Sequence, residues 1–388
     1  MTYVAVSALA GDAYGAKPVA RVSIDFTRNQ VRVPVSVNGS EAFSLILDTG
    51  MPTRGVLLRP TPRVDALGLK FPGAESSLSG GGSGPAVAAR VAPAERIQVG
   101  EHEIAEVPVI VLPKDAGLPR DVDGVIGAEL FDRFVVRVDV DAERLELFDP
   151  ATYQPPSGSS AVPLRLRDRV AFVDARVTLG SQDAVTADLA VDLGAGHALW
   201  LNGGSNPKLA APPGAIETTI GRGLSGPILG SIGRVRRVVI GDFAFENVVT
   251  VFPVREHQNP GGYDFKDGFV GAELLTRFIV TFDYSTKRML LERGSHFDDP
   301  FEYDMTGMVL NPQGIDRRRV DSVLTGSPAE EAGVMEGDVL VAVDGQSLAS
   351  LGMDALRSTF QRDGAEVVVT LERDSNTIEK RFKLRRLI

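Results

Sequence analysis

Asp48 and Asp192 end two similar hydrophobic runs. Phe43-Ser-Leu-Ile-Leu-Asp-Thr-Gly50 returns 144 residues later, in altered form, as Asp188-Leu-Ala-Val-Asp-Leu-Gly194. A second pair of segments shares that offset: Asp123-Gly-Val-Ile-Gly-Ala-Glu-Leu-Phe-Asp-Arg-Phe134 and Asp267-Gly-Phe-Val-Gly-Ala-Glu-Leu-Leu-Thr-Arg-Phe278. Over positions 123–139 and 267–283, ten of seventeen residues are identical. The chain reads as a duplicated unit that brings one aspartate from each copy to a shared centre. Either aspartate alone reads rather as a turn-forming Asp-x-Gly at a strand end. The duplicated pair reads as a carboxylate dyad.

Two carboxylates sharing one proton solve both difficulties of amide hydrolysis. The ionised one takes a proton from water, and the protonated one stabilises the developing oxyanion. Like charges a few ångströms apart do not ionise independently, so one pKa rises and the pair titrates jointly; the handful of residues needed is small. Gly50 and Gly194 permit tight backbone with close approach, and the Thr49 hydroxyl can bond across to the opposite loop.

Composition removes the competing chemistries. There is no cysteine, hence no thiol nucleophile, disulfide or thiolate metal site. His102, His197, His257 and His296 lack HExxH-type spacing, so neither a metal site nor a histidine-based triad is expected. No organic cofactor is implied, and no GxxxxGK[ST] phosphate loop is present. A net charge of -10 speaks against nucleic acid as a partner. Arg234–Arg237 and Arg317–Arg319 read as solvated surface or local salt bridges. No apolar run approaches the roughly 20 residues of a membrane span. The start lacks a basic n-region and apolar h-region; the expected compartment is periplasmic or secreted if an export signal has been removed, otherwise cytoplasmic.

The elements that position the dyad are β-strands. Period-2 alternation in Arg32–Val37 and Phe134–Val140, with Gly- and Pro-bearing breaks, predicts antiparallel sheet. The reading is mainly β, with units at 20–150 and 161–295 joined by a polar linker at Thr152–Ser160. A section of different character covers 301–388. Residues 1–19 read as a strand, an occluding segment or a tail.

At these residues the chain resembles the retropepsin- and pepsin-like aspartic proteases. Leu47-Asp48-Thr49-Gly50 matches their catalytic motif, and Asp192-Leu193-Gly194 with Ala198-Leu199-Trp200 is similar to it. Val125-Ile126-Gly127 and Phe269-Val270-Gly271 resemble the hydrophobic-hydrophobic-Gly element that supports the catalytic loops. The resemblance implies two pseudo-symmetric β lobes, a cleft between them, and endopeptidase action on protein or peptide substrates by an Asp48/Asp192 dyad. A monomer would suffice, since both halves lie in one chain. Leu193 departs from the expected Thr or Ser, so half of the inter-loop hydroxyl lock is missing. That keeps an inactive peptide-binding or adaptor protein as the alternative.

Flaps are expected from Leu78-Ser-Gly-Gly-Gly-Ser-Gly-Pro85, with Gly80, Gly81, Gly82 and Gly84, and from Ile220–Pro227, with Gly223; each stretch alone reads equally as a surface turn. Neither holds the tyrosine of pepsin-like flaps. The paired Asp123/Asp267, Glu129/Glu273 and Arg133/Arg277 read as charge pairs or caps holding the supporting segment.

In the last section, Gly326-Ser-Pro-Ala-Glu-Glu-Ala-Gly333 and Gly337-Asp-Val-Leu-Val-Ala-Val-Asp-Gly345 resemble a bacterial-type PDZ domain. A helix is predicted at Met353–Gln361, and a hairpin from Glu366–Glu372 and Thr377–Leu384. The resemblance implies a groove for a peptide C-terminus, with Gly307, Met308 and Val309 at the carboxylate loop. A closed groove and self-docking of the apolar Arg386-Leu387-Ile388 end are the other readings.

Overall fold

The computed structural model describes residues 17–82, 84–114, 116–181, 183–254, 265–311 and 316–388. His257 and nearly all of the first nineteen residues lie outside the described residues.

Alternation builds the sheets as the sequence predicts. Along Gln30–Val37 the four valines at 31, 33, 35 and 37 turn inward and are fully buried. The strand is reached from Asp25–Thr27 through a two-residue turn in which Arg28 and Asn29 both take positive φ, at 55° and 56°. Asp168 and Arg169 form the same turn in the second half, between Arg165–Arg167 and Val170–Thr178.

Two eight-stranded sheets run through the same order. The first is Asp25–Thr27, Gln30–Val37, Phe43–Leu47, Gly124–Ile126, Val56–Leu58, His102–Val111, Val87–Val99 and Ser76–Leu78. The second is Arg165–Arg167, Val170–Thr178, Val185–Asp192, Gly268–Gly271, Leu199–Leu201, Phe243–Pro253, Gly226–Ile240 and Ile216–Gly223. In each, the strand that ends in the aspartate runs parallel to the strand that ends in the hydrophobic-hydrophobic-Gly element.

A six-stranded sheet lies across both halves, in the order Ala20–Ser23, Arg144–Phe148, Val135–Asp139, Phe278–Asp283, Arg288–Arg293, Ser160–Pro163. Its central pairing sets Arg137 opposite Thr281, residues 144 apart. An approximate two-fold axis therefore passes between them, consistent with the expected pair of lobes.

The C-terminal sheet runs Met308–Leu310, Arg318–Val323, Val339–Val343, Glu366–Arg373, Asn376–Lys383. Helix Met353–Phe360 covers it through Leu356 and Phe360, in a separate core with Val367, Val369 and Leu371. Both the helix and the hairpin fall within a residue of their predicted bounds. Among the described residues no helix is long and apolar enough to cross a membrane.

Some charged residues differ from expectation. Arg234 is not a solvated surface group: it donates to Phe301 O at 2.7 Å and pairs with Glu302 at 3.1 Å, tying the start of the C-terminal section to the second half. Arg318 is 5% exposed and donates to Asn311 O. The end of the chain does not enter the PDZ groove. Ile388 packs on the main core, and its O accepts Arg234 Nε at 3.1 Å.

Candidate active site

The strands Phe43–Leu47 and Val185–Asp192 deliver Asp48 and Asp192 to one point, each carboxyl lying against the glycine of the opposite loop. Burial first, and the Asp192 charge second, raise the Asp48 pKa well above the ordinary carboxylate range. Burial also raises Asp192, against the amides of Gly194 and Ala195, which donate to its Oδ1 at 2.9 and 3.1 Å. Gly50 N donates to Asp48 Oδ1 at 2.7 Å. Both carboxyls are thus pushed up by burial, and the pair titrates jointly.

The glycines are required by closeness. A Cβ on Gly194 would lie 2.4 Å from Asp48 Cγ, and one on Gly50 would lie 2.8 Å from Asp192 Cγ. Each half thus leaves room for the carboxyl of the other. Gly127 and Gly271 work one layer below. A Cβ there would strike Asp48 O at 2.3 Å and His197 O at 2.1 Å respectively. Asp48 N donates to Ile126 O, and Ala272 N to Ala195 O, so these elements carry the two loops.

Thr49, 2% exposed, spans the interface. Its Oγ1 donates to Val191 O at 2.7 Å and accepts Leu193 N at 2.9 Å. Leu193 sends its side chain into the core with no exposure.

A cavity of about 340 Å³ opens over the aspartates. Its walls are apolar, from Ile46, Met51, Leu57 and Val125 on one side and Trp200, Phe265 and Phe269 on the other. Trp200 stacks on Phe269 at 4.8 Å, and its Nε1 donates to Asn202. The two glycine-rich tips form the roof and meet each other. Ser225 N donates to Gly81 O at 2.8 Å, and Gly84 N to Ser225 O at 2.7 Å. Added Cβ atoms at Gly80, Gly82 and Gly223 would come within 2.5 Å of the opposite tip. Leu224 crosses over and packs against the first-half cluster that includes Met51 and Val125.

The supporting charges are alike only in part. Asp123 accepts Ser44 N, and Asp267 accepts Asp188 N, each at 2.9 Å. Glu129 pairs with Arg133 at 2.6 Å, as expected for a local brace. In the second half the brace is broken, contrary to expectation. Glu273 faces Arg357 of the C-terminal section at 3.2 Å, and Arg277 turns to the backbone carbonyls of His296, Phe297 and Pro300.

His197, a site residue not singled out by the sequence, lines the cavity over the aspartates and also a second cavity against the C-terminal section. Burial lowers its pKa to about 4, so it is neutral. Its only sequence signal was its place in Gly-His-Ala, five residues after Asp192. In the PDZ section, Gly307 has φ 81° and leaves no room beside Ser327, where a Cβ would lie at 2.1 Å. Met308 and Val309 begin the edge strand, as the resemblance implies.

No curated protein matches the chain. Residues 319–373 match the PDZ domain family and residues 33–130 match the aspartyl protease family. The chain is therefore a protease-type protein with a C-terminal PDZ domain.

Proposed function

We propose that this chain is an aspartic endopeptidase whose dyad is Asp48 and Asp192, organised as lobes at 20–150 and 161–295 with a PDZ domain at 301–388. The observation that carries the reading is the crossed pair: two buried carboxylates, each seated against the other half's glycine. In the proposed reaction Asp192 accepts a proton from water as the water oxygen bonds to the scissile carbonyl carbon. Asp48 gives its proton to the carbonyl oxygen. Collapse of the tetrahedral adduct, with a proton passed to nitrogen, breaks the C–N bond. One chain supplies both carboxylates, so a monomer is sufficient. The apolar walls favour hydrophobic residues flanking the scissile bond, and the PDZ domain docks substrate or partner peptides.

The alternative, an inactive peptide-binding adaptor, draws on Leu193. Thr49 alone already bonds both Val191 and Leu193, which weakens that objection. The test is cleavage of a diverse peptide pool from pH 4 to 8 by wild type, Asp48→Asn and Asp192→Asn. Cuts made by wild type and absent with both variants support the enzyme. Cuts shared by all three, or none at any pH, support the adaptor.

A further inference from the structure

The PDZ section faces the protease-like halves across a cavity of about 330 Å³. Asp304, Arg357 and Gln361 line one side; His197, Thr219 and Glu273 line the other. These three come from the Asp192 loop, the second flap strand and the short helix behind Gly271. The cavity therefore touches three second-half elements that build the candidate active site.

The loop expected to hold a peptide carboxylate already holds one. Thr306 N donates to Asp304 Oδ1 at 2.8 Å, Thr306 Oγ1 donates to the same oxygen, and the Gly307 amide also bonds this carboxyl. Met308 N is taken by Thr306 Oγ1 at 3.0 Å. An incoming carboxylate would find these three amides engaged and a like charge in place.

Counting charge on the cavity wall leaves one carboxylate over. Arg28 pairs with Asp121, Arg357 with Glu273, and Glu302 with Arg234 and Arg386. Asp304 has no ion pair among the described residues. Burial raises its pKa to about 6 against the Thr306 and Gly307 bonds and the charge of Arg357, which is already paired with Glu273. Meanwhile, among the described residues, Met308–Leu310 is an edge strand paired with Arg318–Val323 alone, and it can accept an added strand.

We propose that this PDZ groove reads an internal basic segment rather than a free C-terminus: an extended polypeptide adds to the Met308–Leu310 edge and places a lysine or arginine side chain beside Asp304. That residue completes a square of two acids and two bases with Glu273 and Arg357. Because His197 is shared by both cavities, the docked segment lies next to the catalytic cleft. The inference deepens the docking half of the proposed function and does not depend on hydrolysis.

The test is fluorescence anisotropy on the full chain carrying Asp48→Asn, which keeps probes intact. The probes are labelled ten-residue Ser/Val peptides in three forms: neutral with a free carboxylate, the same amidated, and amidated with one central lysine. The lysine peptide should bind at least tenfold tighter than either neutral form, and raising salt should erode that preference. Asp304→Asn should abolish the preference. Preferential binding of the free-carboxylate form, lost on amidation, would overturn the proposal, as would equal binding or no binding of all three. The wild-type-groove comparison stands even if Asp304→Asn fails to fold. Failure of the endopeptidase reading would show instead in the peptide-pool experiment, which scores cleavage and not binding.

Discussion

The Leu193 amide donates to Thr49 Oγ1 over 2.9 Å, so the residue that lost its own hydroxyl is held by the hydroxyl of its counterpart. One side chain thereby fixes both aspartate loops, and its loss should be felt by both. Thr49→Val removes two buried hydrogen bonds and leaves the Val191 carbonyl and Leu193 amide unpaired. A cost of about 2–4 kcal/mol is expected from two such groups, with at least a tenfold fall in kcat/KM. Denaturant titration and peptide cleavage check it. Leu193→Ser should cost stability through lost burial, about 2–3 kcal/mol, while leaving Thr49 with both partners. A Thr49→Val protein as stable and active as wild type would remove the single-hydroxyl account.

Gly194 and Gly50 offer a sharper steric test. With only 2.4 Å between a Cβ at 194 and Asp48 Cγ, Gly194→Ala must push the partner carboxyl aside. Overpacking of this kind typically costs about 1–3 kcal/mol. The larger effect should be on catalysis, because the displaced group is one of the two facing carboxyls. Gly180→Ala is the comparison: its Cβ meets nothing within 4 Å, although its φ of 54° adds modest backbone strain. A drop in kcat of a hundredfold or more at position 194, with little change at 180, is the expected result.

Much of this was legible in the chain. The 144-residue offset between Asp48 and Asp192, and between Gly127 and Gly271, gave the layers of the site, since each glycine is tied to a close approach that admits no side chain. The PDZ signature gave the C-terminal section. Partner choice was not legible. Glu129 and Glu273 have the same local sequence, Ala-Glu-Leu, yet one pairs four residues away and the other 84 residues away. No local pattern distinguishes them, because the difference is made by Arg357 arriving from another domain. Leu224 was likewise hidden: a lone leucine between glycines reads as a turn until the opposite tip is in place.

The flap contact leads to a kinetic prediction. Leu224 is the apolar anchor of the roof, and Gly117 N bonds its carbonyl at 3.0 Å. Leu224→Ser keeps the backbone bonds and removes the anchor, so the roof should open more often. Amide hydrogen exchange at residues 80–84 and 223–226 should accelerate several-fold, with KM rising more than kcat falls. Unchanged exchange would mean the backbone bonds alone hold the tips together.

His197 sets an acid limit on stability. Its pKa falls from 6.5 to about 4 on folding, mainly through burial, with Arg357 adding to it. A group depressed in this way binds fewer protons folded than unfolded, so its stabilising effect is full above pH 6.5 and is lost as pH falls toward 4. The loss is on the order of 2 kcal/mol. His197→Asn should flatten the decline in Tm between pH 6.5 and 4.

The dyad itself acts in the opposite sense. The Asp48 pKa is raised on folding, so the folded state keeps its proton longer, and ionisation as pH rises lowers stability. Asp48→Asn should therefore be inactive yet more stable than wild type at pH 8, with the advantage vanishing near pH 4. Activity should follow a bell whose alkaline limb marks loss of the shared proton, at an apparent pKa that belongs to the pair. Thermal unfolding and peptide cleavage across the same buffers measure both. If the Asp48→Asn protein gained nothing at alkaline pH, the two carboxylates would not share a proton in the folded state, and the alkaline limb would have to come from another group.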